Sequence, residues 1–256
     1  MMSFGQEVYR VRFEWGMDGL IALKTSVAAI VIVDVLSFST CVDIAVSNGA
    51  TIFPHGERGE RAIEYATRNN AIAADHERNS TGFTLSPASL ANIPSGTRLV
   101  LPSPNGSRLS FEHHGVPIFT ACLRNANAVA EYLNKCVGSI GVIAAGEQWP
   151  NGSLRPALED HLGAGALIAM LSGTRSPEAE AGVAVFESVQ SHLKSKLDSC
   201  GSGRELIDRG FAYDVALAAE LNVSNAVPML DRNAYQDAAI VRSSQQVQAS
   251  EIVNDR

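Results

Sequence analysis

Val27–Gly49 reads VAAIVIVDVLSFSTCVDIAVSNG, an apolar run that ends in one acidic residue and breaks directly into a hydroxyl-rich helix start. Val31, Ile32 and Val33 have the unbroken apolarity of a strand buried on both faces, which puts Asp34 at the strand's carboxyl end. In open α/β sheets ligands bind at that edge, because loops and helix N-termini converge there with unsatisfied N–H groups. Asp34 is therefore the first candidate functional residue.

Outward from this stretch, short apolar runs alternate with helical patterns, the signature of an α/β layered fold. The expected strands are Val8–Phe13, Ala28–Val35, Thr51–Phe53, Ala71–Ala74, Arg98–Pro102, Pro117–Thr120 and Ser139–Ala145. Helices are expected at Ser39–Ser47, Gly59–Asn69, Gly106–Glu112 and Asn125–Lys135, with Asp75–Gly96 irregular. From Leu158 the pattern turns helical: Leu158–Leu171, Pro177–Lys196, Gly203–Asp208 and Phe211–Leu221. This half is expected to cover the sheet, making 1–256 a single domain, with the polar tail over 245–256 partly disordered.

A chain of 256 residues with 46% hydrophobic content buries an ample core without staples. Cys41, Cys122, Cys136 and Cys200 are widely spaced with no C-x-x-C pair, which suggests neither a zinc site nor a disulfide framework and fits reduced cytosolic thiols. No long uncharged apolar run and no signal-like N-terminus are present, so a soluble cytoplasmic protein without membrane association is expected. The net charge of -7 argues against a nucleic-acid footprint while leaving room for a local anion pocket.

Four junctions carry candidate chemistry. After Asp34, the hydroxyls of Ser37, Ser39 and Thr40 enter a helix start, a setting for an oxyanion held near a carboxylate-bound Mg²⁺. A helix N-cap supported by Asp34 accounts for the same residues. In SPNGSR, Ser103–Arg108, Asn105 and Gly106 form a turn with accessible N–H groups, Ser107 can cap the next helix and Arg108 can grip a phosphate or sulfonate. An ordinary Asn-Gly turn with a surface arginine is the alternative. Arg124 and Asn125 stand at the start of another helix, where capping by Asn125 is the simpler explanation. Glu159 and Asp160 open a fourth helix; they compensate its dipole or bind a hard cation together with Asp34. Gly163 and Gly165 in that helix mark close helix-to-sheet packing in preference to a phosphate loop.

There is no G-x-x-x-x-G-K-[ST] loop, strand-linked G-x-G-x-x-G or G-x-S-x-G elbow. The six histidines, among them His113 and His114, have no metal-ligand spacing, and Cys41 reads as a small core residue.

On these residues the chain resembles the 2-phosphosulfolactate phosphatase family, whose motif D-V-L-R-A-[ST]-[ST]-T followed by N-G-A has its counterpart in DVLSFSTCVDIAVSNGA, Asp34–Ala50. The similarity continues through GFTLSP, PNGSR, RNANAVAEYL, ALEDHLGAGALI and RELIDRGFAYDVALAAELNVSNAVPML. The resemblance implies a three-layer α/β/α fold with a mixed, largely parallel central sheet. It also implies a Mg²⁺-dependent phosphatase that converts 2-phospho-3-sulfolactate to 3-sulfolactate and phosphate, a step associated with coenzyme M biosynthesis. The matching positions are Asp34, Asn105, Gly106, Arg108, Asn125, Glu159 and Asp160. The expected assignment has Asp34 with Glu159 or Asp160 on Mg²⁺, and Asp34, Arg108 and Arg124 as catalytic groups. Ser37, Ser39, Thr40, Asn105, Gly106, Ser107 and Asn125 then bind substrate. Three departures stand out: Ser37 replaces the motif arginine, Cys41 stands at the second hydroxyl position of the motif, and the family's G-E-R-G-G-like loop survives only as DHERNSTG, Asp75–Gly82, leaving Arg78 as its remnant. The alternatives are a non-catalytic binder of a phosphorylated metabolite and a phosphatase for another 2-phospho acid. A homodimer is the default for an enzyme of this size.

Overall fold

The structure is a computed structural model that describes residues 3–112, 115–135 and 138–243. Cys136, His113, His114 and the tail over 245–256 lie outside the described residues. The first part alternates as β1 Val11–Trp15, α1 Gly16–Leu23, β2 Ala29–Val33, α2 Phe38–Ser47, β3 Thr51–His55, α3 Glu60–Arg68, β4 Ile72–Ala73 and α4 Pro87–Leu90. It continues with β5 Arg98–Pro102, α5 Gly106–Phe111, β6 Ile118–Ala121, α6 Ala126–Asn134 and β7 Ile140–Ala144. A two-stranded hairpin, β8 Glu147–Gln148 with β9 Leu154–Arg155, precedes α7 Leu158–Met170. Then come α8 Pro177–Val189, α9 Leu193–Ser199, α10 Gly201–Asp208, α11 Ala212–Ala218, β10 Pro228–Asp231 and β11 Ala234–Asp237.

Nine strands form one sheet in the order β1-β7-β2-β6-β10-β11-β3-β5-β4. Two parallel blocks, β1-β7-β2-β6 and β3-β5-β4, are bridged by the antiparallel hairpin β10-β11. The sheet is thus mixed and mostly parallel, as expected. The hairpin corrects the reading of the second half as helical: PMLDRNAYQD is short and polar, and its strand character is supplied by the two blocks it joins.

β2 pairs with β7 on one side and β6 on the other, and all five of its residues are buried. Val31 and Val33 face a core shared with α6, α7 and α8, whereas Ile30 and Ile32 face a second core with α1 and α2. Helices therefore cover both faces. Phe38–Val46 of α2 are all buried, the pattern of a helix enclosed on every side. Five strand spacings of about 4.8 Å would set β5 about 24 Å from β2 in a flat sheet. Asp34 beyond β2 nevertheless lies 2.7 Å from the amide of Gly106 beyond β5. The sheet curls over α2 and brings the ends of its two parallel blocks together.

α7 lies close on β2 because it carries glycines. A Cβ on Gly163 would come within 2.6 Å of Val35 Cγ2, and one on Gly165 within 2.2 Å of the Gly182 carbonyl on α8. The expected helix-to-sheet packing holds at Gly163, whereas Gly165 makes room for helix α8, because it faces Gly182 and Phe186 of that helix instead of a sheet strand. The first strand starts later than Val8, which is exposed, and the expected Pro177–Lys196 helix is interrupted by a 3-10 turn at Gln190–His192. Among the described residues no helix is long and apolar enough to cross a membrane.

Candidate active site

Asp34 is almost fully buried, and its carboxylate is held by the chain turns around it. Oδ2 accepts the Gly106 amide at 2.7 Å and the Ser103 hydroxyl at 3.4 Å, and Oδ1 accepts the Phe38 amide at 3.3 Å. Gly106 is required for this approach, since a Cβ there would sit 2.4 Å from the Phe38 ring and 2.7 Å from Asp34 Oδ2. Burial pushes the Asp34 carboxyl up to about 6; the amides of Gly106 and Phe38 oppose the shift and the charge of Glu159 adds to it.

The residue opens into a cavity of about 520 Å³, also lined by Ser37, Asn105 and Glu147. Four arginines line the same cavity: Arg58, Arg78, Arg155 and Arg209. Glu147 comes from β8, and Asn105 Nδ2 donates to its Oε2 at 3.0 Å. Desolvation, then the charge of Asp34, raises the Glu147 carboxyl to about 7. Arg78 Nη1 pairs with the buried Asp214 of α11 at 2.7 Å, and its Nη2 donates to Ser37 Oγ at 3.2 Å. Arg155 lies over the Trp149 ring at 5.5 Å, and Arg209 pairs with Glu205. A second cavity of about 510 Å³ shares Arg58, Arg78, Leu85 and Arg209 with the first.

The structure gathers Asp34, Ser37, Asn105 and Gly106, and disperses the other expected residues. Ser39 and Thr40 are fully buried: Ser39 Oγ receives the Asp34 amide and lies 2.6 Å from Thr120 Oγ1, while Thr40 donates to the Val35 carbonyl. Both brace the turn from β2 into α2 and are shielded from any ligand. Ser107 donates to the Leu101 carbonyl from inside the core. Asn125 is fully buried, accepting from the Cys122 amide and donating to the Ala226 carbonyl, so it neither reaches the cavity nor caps α6 through its side chain. Arg124 is turned away to Asp43 of α2 and to Glu220, and donates to the Leu217 carbonyl. Arg108 is exposed and lines a neighbouring cavity of about 280 Å³ that shares Pro104, Asn105, Glu147 and Gln148 with the first.

The expected metal set is also divided. Asp160 Oδ1 accepts the Val35 amide at 2.7 Å and Oδ2 the Gly146 amide at 2.8 Å. Burial, together with the charges of Asp34 and Glu159, drives its carboxyl well above the usual range. Glu159 is buried beside Cys200, and neither acid lines the cavity. Among the described residues no three His, Cys, Asp or Glu side chains converge as a ligand set. Three carboxylates line the cavity; Glu205 is exposed and paired with Arg209, and the other two, Asp34 and Glu147, are crowded enough that one raises the pKa of the other. Such a pair suits Mg²⁺, which takes one or two carboxylates and completes its shell with water and phosphate oxygens.

The sequence reading missed Glu147, Arg155, Arg58, Arg209 and Asp214. Glu147 and Arg155 lie inside AAGEQWPNGSLRPALEDHL, where the adjacent pair at the helix start drew attention away from the loop. Arg58 lies in a literal Gly-Glu-Arg-Gly at 56–59, just beyond β3, a findable signal. Arg209 and Asp214 come from distant helices, and no local pattern points to them.

The family model described as 2-phosphosulpholactate phosphatase matches residues 19–233. The 2-phosphosulfolactate phosphatase of Methanothermobacter thermautotrophicus is 30% identical over 216 residues, spanning 82% of this chain and 88% of its own length. The probable 2-phosphosulfolactate phosphatase of Gloeobacter violaceus is 27% identical over 223 residues, 77% of this chain and 86% of its own. For that of Thermotoga maritima the values are 30% over 207 residues, 78% and 88%.

Proposed function

This chain belongs to the 2-phosphosulpholactate phosphatase family, and from that premise we propose that the arginine-lined cavity is the active site of a Mg²⁺-dependent phosphoric monoester hydrolase. Its substrate is a small phosphorylated acid, 2-phospho-3-sulfolactate, converted to 3-sulfolactate and phosphate as in coenzyme M biosynthesis. The observation that carries the reading is the joining of four arginines to the buried Asp34 and the half-buried Glu147 in one cavity. An anion clamp placed directly against carboxylates is self-repelling for a phosphate unless a cation lies between them.

Asp34 and Glu147 would hold Mg²⁺. When bound, the ion supplies positive charge to the phosphoryl oxygens and acidifies water. The protein's own groups do the rest. Guanidinium donors grip the anionic oxygens and meet the charge that builds up during transfer. Asn105 fixes the orientation of Glu147. Asp34 is held on both oxygens by N–H and O–H donors, an arrangement that blunts it as a nucleophile and favours direct attack by water. Trapping of covalent phosphate on Asp34 would reverse that assignment.

The deciding assay is phosphate release from 2-phospho-3-sulfolactate with Mg²⁺, with EDTA, and with Asp34→Ala. Activity that needs both Mg²⁺ and Asp34 supports the reading; well-folded protein that releases none sinks it. Ser37 favours one second reading, turnover of a different 2-phospho acid, which a substrate panel separates from the first. A cytoplasmic location suits the buried free thiols of Cys41, Cys122 and Cys200. A homodimer completes the proposal, checked by light scattering.

A further inference from the structure

Arg78 differs from the other three cavity arginines in how it is held. Arg58 and Arg209 are exposed and Arg155 is half-buried, whereas the Arg78 side chain is only 12% exposed and its partner Asp214 1%. Nη1 is fixed by Asp214, Nη2 by Ser37, and the guanidinium lies 5.5 Å from the centre of the Phe211 ring. Asp214 is itself fixed, accepting from Ser86 Oγ at 2.7 Å and from the Ala88 amide at 3.0 Å. A guanidinium has five N–H donors; two are committed here, leaving three for a ligand. Arg78 has therefore lost its rotamer freedom on folding, and a ligand that meets it does not have to order it.

Arg78 also lies where the cavity containing Asp34 runs into the second cavity, and it lines both. A phosphoryl group beside Asp34 leaves the remainder of a short acid extending along this wall.

The geometry points to Arg78 as the specificity-determining cation that recognises the second acidic group of a phosphorylated acid, with Asp214 as its positioning residue. The inference rests on the phosphatase reading for where the phosphoryl group sits, and its test is independent of turnover. Phosphonoacetate and methylphosphonate differ in a carboxylate and contain no hydrolysable P–O–C ester. Their affinities are measured by calorimetry in Mg²⁺ for the intact protein and for Arg78→Ala, Arg78→Lys, Asp214→Asn and Ser86→Ala, each checked for cooperative melting.

The intact protein is expected to prefer phosphonoacetate at least tenfold, and Arg78→Ala to reduce the preference below threefold. Arg78→Lys retains a charge opposite Asp214 without the planar fork and falls between. Asp214→Asn weakens the preference. Ser86→Ala, which removes one of the two bonds to Asp214 Oδ1 but leaves the Arg78 pair and the Ala88 amide in place, weakens it less than Asp214→Asn. The proposal is overturned if the intact protein shows no preference, if Arg78→Ala retains it, or if Asp214→Asn leaves it unchanged. Should the binding pattern hold while 2-phospho-3-sulfolactate is not hydrolysed, the phosphatase reading fails and the role of Arg78 stands.

Discussion

The carboxylate of Asp160 accepts the backbone amide of Val35 at 2.7 Å, and its other oxygen takes the amide of Gly146 at 2.8 Å. Val35 follows Asp34 and Gly146 precedes Glu147, so one buried side chain ties together the two backbone segments that carry the cavity carboxylates. Asp160→Asn keeps a single acceptor and turns an NH₂ group towards one of those amides. The expected cost is about 1–3 kcal/mol of stability from an unsatisfied buried N–H. Activity falls with it and is not restored by excess Mg²⁺. Recovery at high Mg²⁺ would instead identify Asp160 as a metal ligand.

Asp34 titrates at about 6 in the folded protein against an ordinary 3.8. The folded chain binds this proton more tightly than the unfolded chain, so the group's stabilising effect is full below about pH 3.8 and is lost as pH rises through 6. In metal-free buffer, Asp34→Asn should therefore gain stability relative to the parent across that window, by on the order of 2–3 kcal/mol, while losing activity. Parallel urea titrations at pH 4 and pH 7 read the difference. A constant difference between the two pH values contradicts it.

Glu147, raised to about 7, ionises as pH climbs through neutrality. Mg²⁺ affinity is expected to increase from pH 6 to pH 8, with protons released on binding. Glu147→Gln removes most of this pH dependence. Calorimetry in two buffers of different ionisation enthalpy counts the protons.

Gly106→Ala forces a methyl group against the Phe38 ring and Asp34 Oδ2. Overpacking of this kind costs about 1–3 kcal/mol. Because the displaced group is Asp34 itself, kcat should drop by at least tenfold in protein that is still folded at 20 °C or below, as a melt monitored alongside the assay will establish.

Arg124→Ala distinguishes a structural arginine from a catalytic one. It leaves the fully buried Asp43 without its cation, and breaking such a pair costs about 3–5 kcal/mol. The melting temperature should fall steeply while KM of the folded fraction stays within twofold. A large rise in KM would return Arg124 to the substrate.

Much was legible in order along the chain. The buried strand before Asp34, the Asn-Gly turn before Arg108 and the glycines of the Leu158 helix each carry their own local reason: unbroken apolarity, turn chemistry, and lack of a Cβ where backbones approach. The same local reasoning overreached at Ser39, Thr40, Ser107, Asn125 and Arg124. Hydroxyls and amides at a helix start look alike whether they serve a ligand or the backbone, and only burial and partners separate the two.

The sequence by itself determined an α/β chain with an acidic strand end as its focus, and membership of a phosphatase family, because periodicity and motif order are properties of the chain. Tertiary structure decided which groups share the cavity. Folding of the sheet over α2 brings Asp34 to Gly106, the β8-β9 hairpin delivers Glu147 and Arg155, and the segment beyond residue 200 supplies Arg209 to the cavity and Asp214 to hold Arg78 in it. The Asp34–Gly106 and Arg78–Asp214 bonds join residues 72 and 136 positions apart, and no window short enough to show a local pattern contains both partners.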